Sequence, residues 1–302
     1  MGLIPYIGGD TRIAGFILRL LPSGSVLVEP FGGGGAVSLL AAELSRYRRI
    51  VWNDKDFYIY SAFYVIKYHP EIIPAIHDAL LFLRRHVDST DRESIKFFLK
   101  QIRDELRSES VRDVVEAGFL THILYNTCHV PFKSGIMLRW TDNPRRYKNV
   151  AQKLMHYHRI LQRVEIMNRD AFDLIPEFDR EDVVMYVDPP HIVPGTIDWG
   201  YYRLCFSPQD AVKLDKLLAS LKHAKILIKL SQHDIPYYRN IARTWNTIKK
   251  SYIRDTKPGT KPQKLGTYHF FMNYTVSTEL TKYIKAVPQV FNPSLQSPTG
   301  QR

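Results

Sequence analysis

The chain has little of what would staple a small fold or carry a protein across a membrane. Two cysteines, Cys128 and Cys205, in 302 residues cannot build a disulfide framework, so a packed core must carry stability and a reducing intracellular setting is expected. No apolar run reaches the length of a membrane span, and the amino terminus lacks a basic segment followed by an apolar one. A soluble, unsecreted protein without a membrane partner is therefore expected. No group of His, Cys and Asp has metal-ligand spacing, so no metal is expected, and His129 beside Cys128 reads as structural or exposed. There is no internal repeat. Acid is the scarcer charge: 30 Asp and Glu face 42 Lys and Arg, a formal net charge of +12. That excess argues for a polyanionic partner, most often nucleic acid, although some basic proteins are simply basic.

What is present can bury a good core: 45% of the residues are apolar, and the length suits one large domain or a domain with a sizeable insertion. Val183-Val184-Met185-Tyr186-Val187 is β-branched, Met or aromatic throughout and contains no turn former, so it reads as a buried strand. Asp188 follows, and Pro189-Pro190 then forbid both strand pairing and a helix. The acid is left at the strand's carboxyl end, the edge where open α/β sheets bind ligands. The Asp188 carboxylate, the Pro189 carbonyl and the flat ring of His191 offer two hydrogen-bond acceptors and a stacking face. That set suits a planar ring carrying an amino group.

An earlier strand, Val26-Leu27-Val28, runs into Glu29-Pro30-Phe31-Gly32-Gly33-Gly34-Gly35 and a strong helix former over residues 36–44. Strand, glycine loop and helix form a nucleotide-binding arrangement, because glycines admit a ligand to the backbone and the helix start presents free N–H groups. A second strand, residues 49–52, ends at Asn53-Asp54. Asp54 stands about 20 residues beyond the glycines, where a βαβ unit places an acid on the ribose hydroxyls of an adenosine ligand. An Asx turn is its plain structural alternative. The dinucleotide fingerprint fails, since Ser38 stands where the third glycine belongs. A dehydrogenase is disfavoured; an adenosyl ligand without a pyrophosphate is not.

Residues 57–125 have helical periodicity and frequent charges, and read as an inserted helical subdomain. Residues 131–148 are loop-rich and carry Lys133, Arg139, Arg145, Arg146 and Lys148 among Phe132, Trp140 and Tyr147. Cations interleaved with rings suit phosphate contact and base stacking, against the alternative of a solvated loop. Strand character returns at residues 164–168 and leads into Arg169-Asp170-Ala171-Phe172. Beyond the prolines, residues 192–206 read as a loop beside the site. Ser207 caps a helix that starts at Pro208 and reaches residue 221, followed by a strand at 226–230, a helix at 234–244 and a late strand at 267–276. Residues 249–264, rich in Lys and Arg against Asp255 alone, read as a basic flexible loop, and the tail beyond residue 286 as disordered.

With these motifs in order, the sequence resembles the Dam-type DNA adenine N6-methyltransferases, the D12 class or α-group, over most of residues 5–276. Tyr6-Ile7-Gly8-Gly9 looks like the family's opening element, and Glu29 to Gly35 matches its Glu-Pro-Phe-x-Gly-x-Gly loop in full. Asn53-Asp54, Asp170-Ala171-Phe172, Asp188-Pro189-Pro190, Phe206-Ser207-x-x-Asp210 and Asn273-Tyr274 are similar to further family landmarks. The resemblance implies a class I S-adenosylmethionine-dependent methyltransferase fold: an α/β, Rossmann-like sheet with helices on both faces and an inserted helical target-recognition subdomain. It implies a catalytic domain of residues 1–56 and 160–285, and a helical and basic DNA-recognition insertion at 57–159. Residues Tyr6, Gly8, Phe31, Gly33, Gly35, Asp54, Asp170, Phe172 and Asp188 would bind S-adenosyl-L-methionine. Asp170 would lie near the cofactor's adenine, with an ordinary helix cap as its alternative. Asp188, Pro189, Pro190 and His191 would be catalytic towards an adenine flipped from double-stranded DNA.

The resemblance admits a restriction-modification, host or viral setting, with a cognate restriction endonuclease as partner in the first, and a cytoplasmic, nucleoid-associated place in a prokaryotic or virus-infected cell. Oligomeric state stays open. Two departures stand out. Pro5 and Asp10 occupy the region where the family usually carries lysines, and His191 replaces an aromatic residue, most often Tyr, in the catalytic motif. They keep open a catalytically weak or inactive DNA-binding protein; within the enzyme class, an RNA adenine or cytosine-N4 acceptor is the rival.

Overall fold

The computed structural model describes residues 2–6, 9–87, 91–132, 135–139, 149–192, 203–253 and 265–276. Gly8, Lys133, Trp140, Arg145, Arg146, Tyr147 and Lys148 lie outside the described residues. So do most of the loop expected after the prolines, the segment 254–264 and the tail.

Short apolar runs become strands, and those at the centre of the sheet, β1 (Val26–Glu29) and β4 (Val183–Val187), are buried on both faces. β1, β2 (Arg49–Asn53), β3 (Val164–Met167), β4 and β5 (Lys225–Ser231) pair in parallel, and β7 (Leu265–Met272) runs antiparallel between β5 and β6 (Asn246–Ile253). The seven strands lie in the order β3-β2-β1-β4-β5-β7-β6. Successive side chains of a strand point to opposite faces, and the core divides accordingly. Leu27, Ile50, Trp52, Val184, Tyr186 and Leu227 pack under α1 (Ala14–Leu20), α2 (Ala36–Glu43) and α3 (Phe57–Tyr68). Val28, Val51, Met185, Val187 and Ile228 pack under α8 (Ala171–Glu177), α9 (Pro208–Ser220) and α10 (Arg239–Thr244). This is the expected Rossmann-like α/β sheet with helices on both faces.

Among the described residues, the α-helices between β2 and β3 are α3, α4 (Ile73–Val87), α5 (Arg92–Arg107), α6 (Val114–Thr127) and α7 (Val150–Leu161), with no strand between them. Both α3 and α7 touch β3, while α4 and α6 pack outward onto these two and α5 packs on α4 and α6. The inner helices of the expected insertion thus also roof the sheet. Asp113 caps α6, its carboxylate accepting from the N–H groups of Val115 and Glu116. Ser207 and Asp210 cap α9 reciprocally, with Pro208 in the first turn, as the sequence predicts.

The basic stretch 249–264 requires a correction. Its first part, expected as flexible loop, belongs to β6, which pairs with β7 from Asn246↔Met272 to Ile253↔Leu265. Lysines hid the alternation, and an edge strand is where lysines sit, because they discourage further pairing. The expected helix at 234–244 is also broken: a 3-10 turn at Ile235–Tyr237 precedes α10. Among the described residues no helix is long and apolar enough to cross a membrane.

Candidate active site

The carboxyl ends of β1, β2, β3 and β4 open into one cleft of about 1400 Å³. Tyr6, Phe31, Gly33, Gly35, Asp54, Asp170, Phe172, Asp188, Pro189, Pro190 and His191 all line it. Of the expected site residues in the described part of the chain, every one therefore meets the same space, Arg139 included.

One wall is the glycine loop and its supports. Gly33 and Gly35 have φ of +46° and +68°, a region that favours glycine. A Cβ on Gly33 would come 2.8 Å from the Tyr6 ring, and one on Gly35 2.7 Å from Phe63. The loop is stitched to the next strand: the Gly33 N–H donates to Asp54 Oδ2 at 2.8 Å, and the Asp56 N–H to Asp54 Oδ1 at 2.8 Å. Asp54 is thus the Asx turn of its structural alternative and also a cleft-facing acid. Burial, with Asp56 nearby, pushes it up to about 7, against the pull of the two N–H donors. Asn53, fully buried, donates to the carbonyls of Pro30 and Arg169 and accepts from the Arg169 N–H, so one amide ties together the loops after three strands. Ser38, where the fingerprint lacks its glycine, bonds Glu29 through both its N–H, at 3.1 Å, and its hydroxyl. Burial pushes Glu29 up to about 8, with Ser38 opposing.

At the end of β3, Asp170 caps α8 by accepting from the Phe172 N–H at 2.9 Å, and takes a 2.7 Å bond from Lys55. Burial raises it, but Lys55 and the cap outweigh that and hold it below the ordinary carboxylate range. The Phe172 ring lies parallel to Phe206 at 6.3 Å, Phe31 meets Phe206 edge-on at 5.9 Å, and Lys213 sits 4.3 Å over Phe172. Beside the glycines, Tyr6 is stacked on Tyr125 at 6.0 Å.

The other wall is the end of β4. Asp188 shares a sheet face with Val184 and Tyr186, and the register Tyr186↔Leu227 puts Lys229 of β5 beside it. Lys229 Nζ bonds Asp188 Oδ2 at 2.7 Å and also grips Asp10, whose second oxygen accepts the Tyr186 hydroxyl. Burial lifts Asp188 above the ordinary carboxylate range, Lys229 pulls it down, and Asp10 pushes it up again. Burial works against the Lys229 charge, but Asp10 and Asp188 outweigh it and keep the ammonium charged. His191 Nδ1 meets Asp234 Oδ2 at 3.0 Å; Asp234 also accepts from Ser231 Oγ at 2.7 Å and the Ile192 N–H at 3.1 Å. That contact fixes the ring's orientation.

Arg139 is turned largely to its own loop: its guanidinium donates to the carbonyls of Cys128 and His129, across the bridge pairing Cys128 with Leu138. Cys128 is buried, and burial pushes its thiol up to about 11. Arg203, four residues before the α9 cap, joins Asp56 at 3.0 Å and Glu109 at 2.6 Å, which ties it to the helical region.

Lys229, Asp234, Glu29 and Ser38 escaped the sequence reading as site residues. A signal existed for the first: a lone Lys inside the apolar run Ile226 to Leu230. Asp234 read as a helix start, and its bond to His191 spans a loop that no local pattern closes.

A family model, D12 class N6 adenine-specific DNA methyltransferase, matches residues 6–256. Type II methyltransferase M.MjaIII of Methanocaldococcus jannaschii is 24% identical over 291 residues, covering 90% of this chain and 98% of its own. The DNA adenine methylase of Salmonella typhimurium is 24% identical over 261 residues, 84% of this chain and 87% of its own. That of Salmonella typhi is 25% identical over 256 residues, 83% and 85% respectively. With the glycine loop and the Asp188-Pro189-Pro190 edge facing one cleft, the chain belongs to the D12 class of N6 adenine-specific DNA methyltransferases.

Proposed function

We propose that the protein methylates N6 of adenine in double-stranded DNA with S-adenosylmethionine as donor, and that Asp188 with the Pro189 carbonyl receives the adenine amine. The observation that carries this reading is that Asp188 and the glycine loop line one cleft. The residues fit the donor: a loop with two left-handed glycines, an acid at the end of β2 and paired rings at Phe172 and Phe206 suit a ribonucleoside with an amino-acid tail. When bound, that donor supplies a methyl group on a sulfonium, an electrophile needing no metal.

Gly33 and Gly35 would admit its methionyl part, Tyr6, Gly8 and Phe31 would help hold it, Asp54 would accept from the ribose hydroxyls, and Asp170 with Phe172 would border its adenine. The target amine is a poor nucleophile because its lone pair is delocalised into the ring. Accepting its two N–H groups at the Asp188 carboxylate and the Pro189 carbonyl draws the nitrogen towards tetrahedral geometry and frees the lone pair. Pro190 keeps that backbone rigid, so the acceleration comes from positioning and from acceptors that need no reorganisation. His191, its ring pinned by Asp234, stacks on the extruded base. Extrusion costs a few kcal/mol, drawn from phosphate and stacking contacts of the helical and basic region 57–159, with Lys133, Arg139, Arg145, Arg146 and Lys148 as the cations. The catalytic domain comprises residues 1–56 and 160–285.

The test is incubation of duplex DNA with methyl-labelled S-adenosylmethionine and nucleoside analysis of the product. Label in N6-methyladenine is expected. Label in N4-methylcytosine or only in RNA would replace the acceptor, and DNA and donor binding without product would replace the enzyme by a binding protein.

A further inference from the structure

The wall behind Asp188 contains a charge that the transfer chemistry does not itself require. Lys229 stands among Ile226, Leu227, Ile228 and Leu230 on a central strand, with its side chain 2% exposed. An apolar residue is the ordinary occupant of such a position, and burying an ammonium costs several kcal/mol before its partners offset it. Those partners are specific. Asp10, 5% exposed, arrives from the amino-terminal segment and is held by the Tyr186 hydroxyl; the Tyr268 ring lies 4.9 Å from Nζ. The remaining bond, 2.7 Å, goes to Oδ2 of Asp188, whose side chain is 20% exposed and lines the cleft.

We propose that Lys229 is the positioning residue of the transfer: anchored by Asp10, it holds Asp188 by Oδ2 from behind, leaving Oδ1 for the adenine amine. The inference rests on the catalytic reading of Asp188 above. A carboxylate held by a single side-chain cation has its rotamer fixed without any donor occupying the cleft side, and the cation opposes the neutralising effect of burial. Asp10 is the counterweight. Its charge beside Lys229 raises the basicity of Asp188, and so the strength of the ionised carboxylate as an acceptor.

The groups facing Asp188 are Lys229 from β5, Asp10 from the amino-terminal segment, Glu29 at the end of β1, Tyr186 on β4, Tyr238 ahead of α10 and His191 on its own loop. Lys229 and His191 pull Asp188 towards ionisation, and Asp10 opposes them. Transfer needs the carboxylate, so activity is lost as pH falls through the Asp188 pKa. Removing the Lys229 charge raises that pKa and moves the acid limb to higher pH; removing the Asp10 charge lowers it and moves the limb to lower pH.

The experiment is the single-turnover rate of methyl transfer to an adenine-containing duplex between roughly pH 5.5 and 9.5, for the wild type, Lys229→Met, Asp10→Asn and Asp188→Asn. Lys229→Met is expected to lose at least about tenfold at pH 7 and to recover as pH rises, because on the acid limb the ionised fraction changes about tenfold per pH unit. Duplex affinity is expected to stay within about twofold, because the change lies behind the acid and not in the DNA path. Asp10→Asn is expected to shift the limb the other way. A loss in Lys229→Met that is equal at every pH would reduce Lys229 to a structural role. Should that variant fail to fold, by circular dichroism, Asp10→Asn decides: a limb that stays put or moves to higher pH overturns the proposal. Asp188→Asn separates the two readings. If it transfers at the wild-type rate, the catalytic assignment falls; if it is inactive while the other profiles superimpose on the wild type, the role of Lys229 alone falls.

Discussion

The two walls of the cleft hold their acids by different means. On the glycine-loop wall, proposed to face the donor, Asp54 and Asp170 each accept a backbone N–H only two residues away, those of Asp56 and Phe172; Asp54 also accepts the Gly33 N–H, and Asp170 also bonds Lys55. On the acceptor side, Asp188 is held by Lys229, which is itself held by Asp10 from the opposite end of the chain. Backbone donors belong to the local turn, and their position follows from a short motif. A side-chain cation exists at its place only because two strands pair in one register. The glycine-loop wall is thus built mainly from nearby backbone donors, and the Asp188 wall is a long-range electrostatic assembly.

This contrast predicts separate effects for the two walls. Asp188→Ala should lower the rate of methyl transfer by about 10²- to 10³-fold, the scale lost when a preorganised transition-state contact is removed. Duplex affinity should change little, since Lys229 keeps Asp10 as partner; stopped-flow transfer alongside equilibrium binding measures both. Asp54→Ala should act on the opposite quantity. Losing charge-assisted hydrogen bonds worth about 1.5–3 kcal/mol should weaken the donor's Kd roughly 10- to 100-fold by calorimetry, with a smaller change in the transfer rate at saturating donor. If the two variants affected rate and donor affinity in the same proportion, the division between walls would be wrong.

The motif-based part of the site was legible because its physics is local. The glycines had to be glycines, at φ of +46° and +68°, and Asp54 had to follow β2, so residue order was enough. Asp188 too was legible, through a buried strand halted by two prolines. Its cation was not: nothing within reach of residue 188 in sequence announces Lys229, and Asp10 registered only as a departure from the lysines usual in the family. The strand β6 was missed for a related reason. Its pairing partner supplies the pattern, and the lysines of an edge strand make the segment resemble a solvated loop.

Smaller effects sharpen the contrast further. Gly35→Ala meets Phe63 at 2.7 Å and forces a left-handed conformation, so a loss of about 1–3 kcal/mol is expected in urea unfolding, together with weaker donor binding. His191→Tyr should leave turnover within about threefold of the wild type or raise it, because a tyrosine ring offers a larger stacking face. Asp234 would keep its bonds from Ser231 and the Ile192 N–H, so the loop should stay in place. A collapse of steady-state turnover to background would show that the imidazole does more than stack.

The most direct measurement is a crystal structure of the protein with sinefungin and an adenine-containing duplex. The account predicts an extruded adenine whose N6 lies about 2.7–3.2 Å from Asp188 Oδ1 and from the Pro189 carbonyl, with sinefungin against Gly33 and Gly35. An adenine amine bound elsewhere, or Asp188 turned out of the cleft with the donor in place, would contradict it.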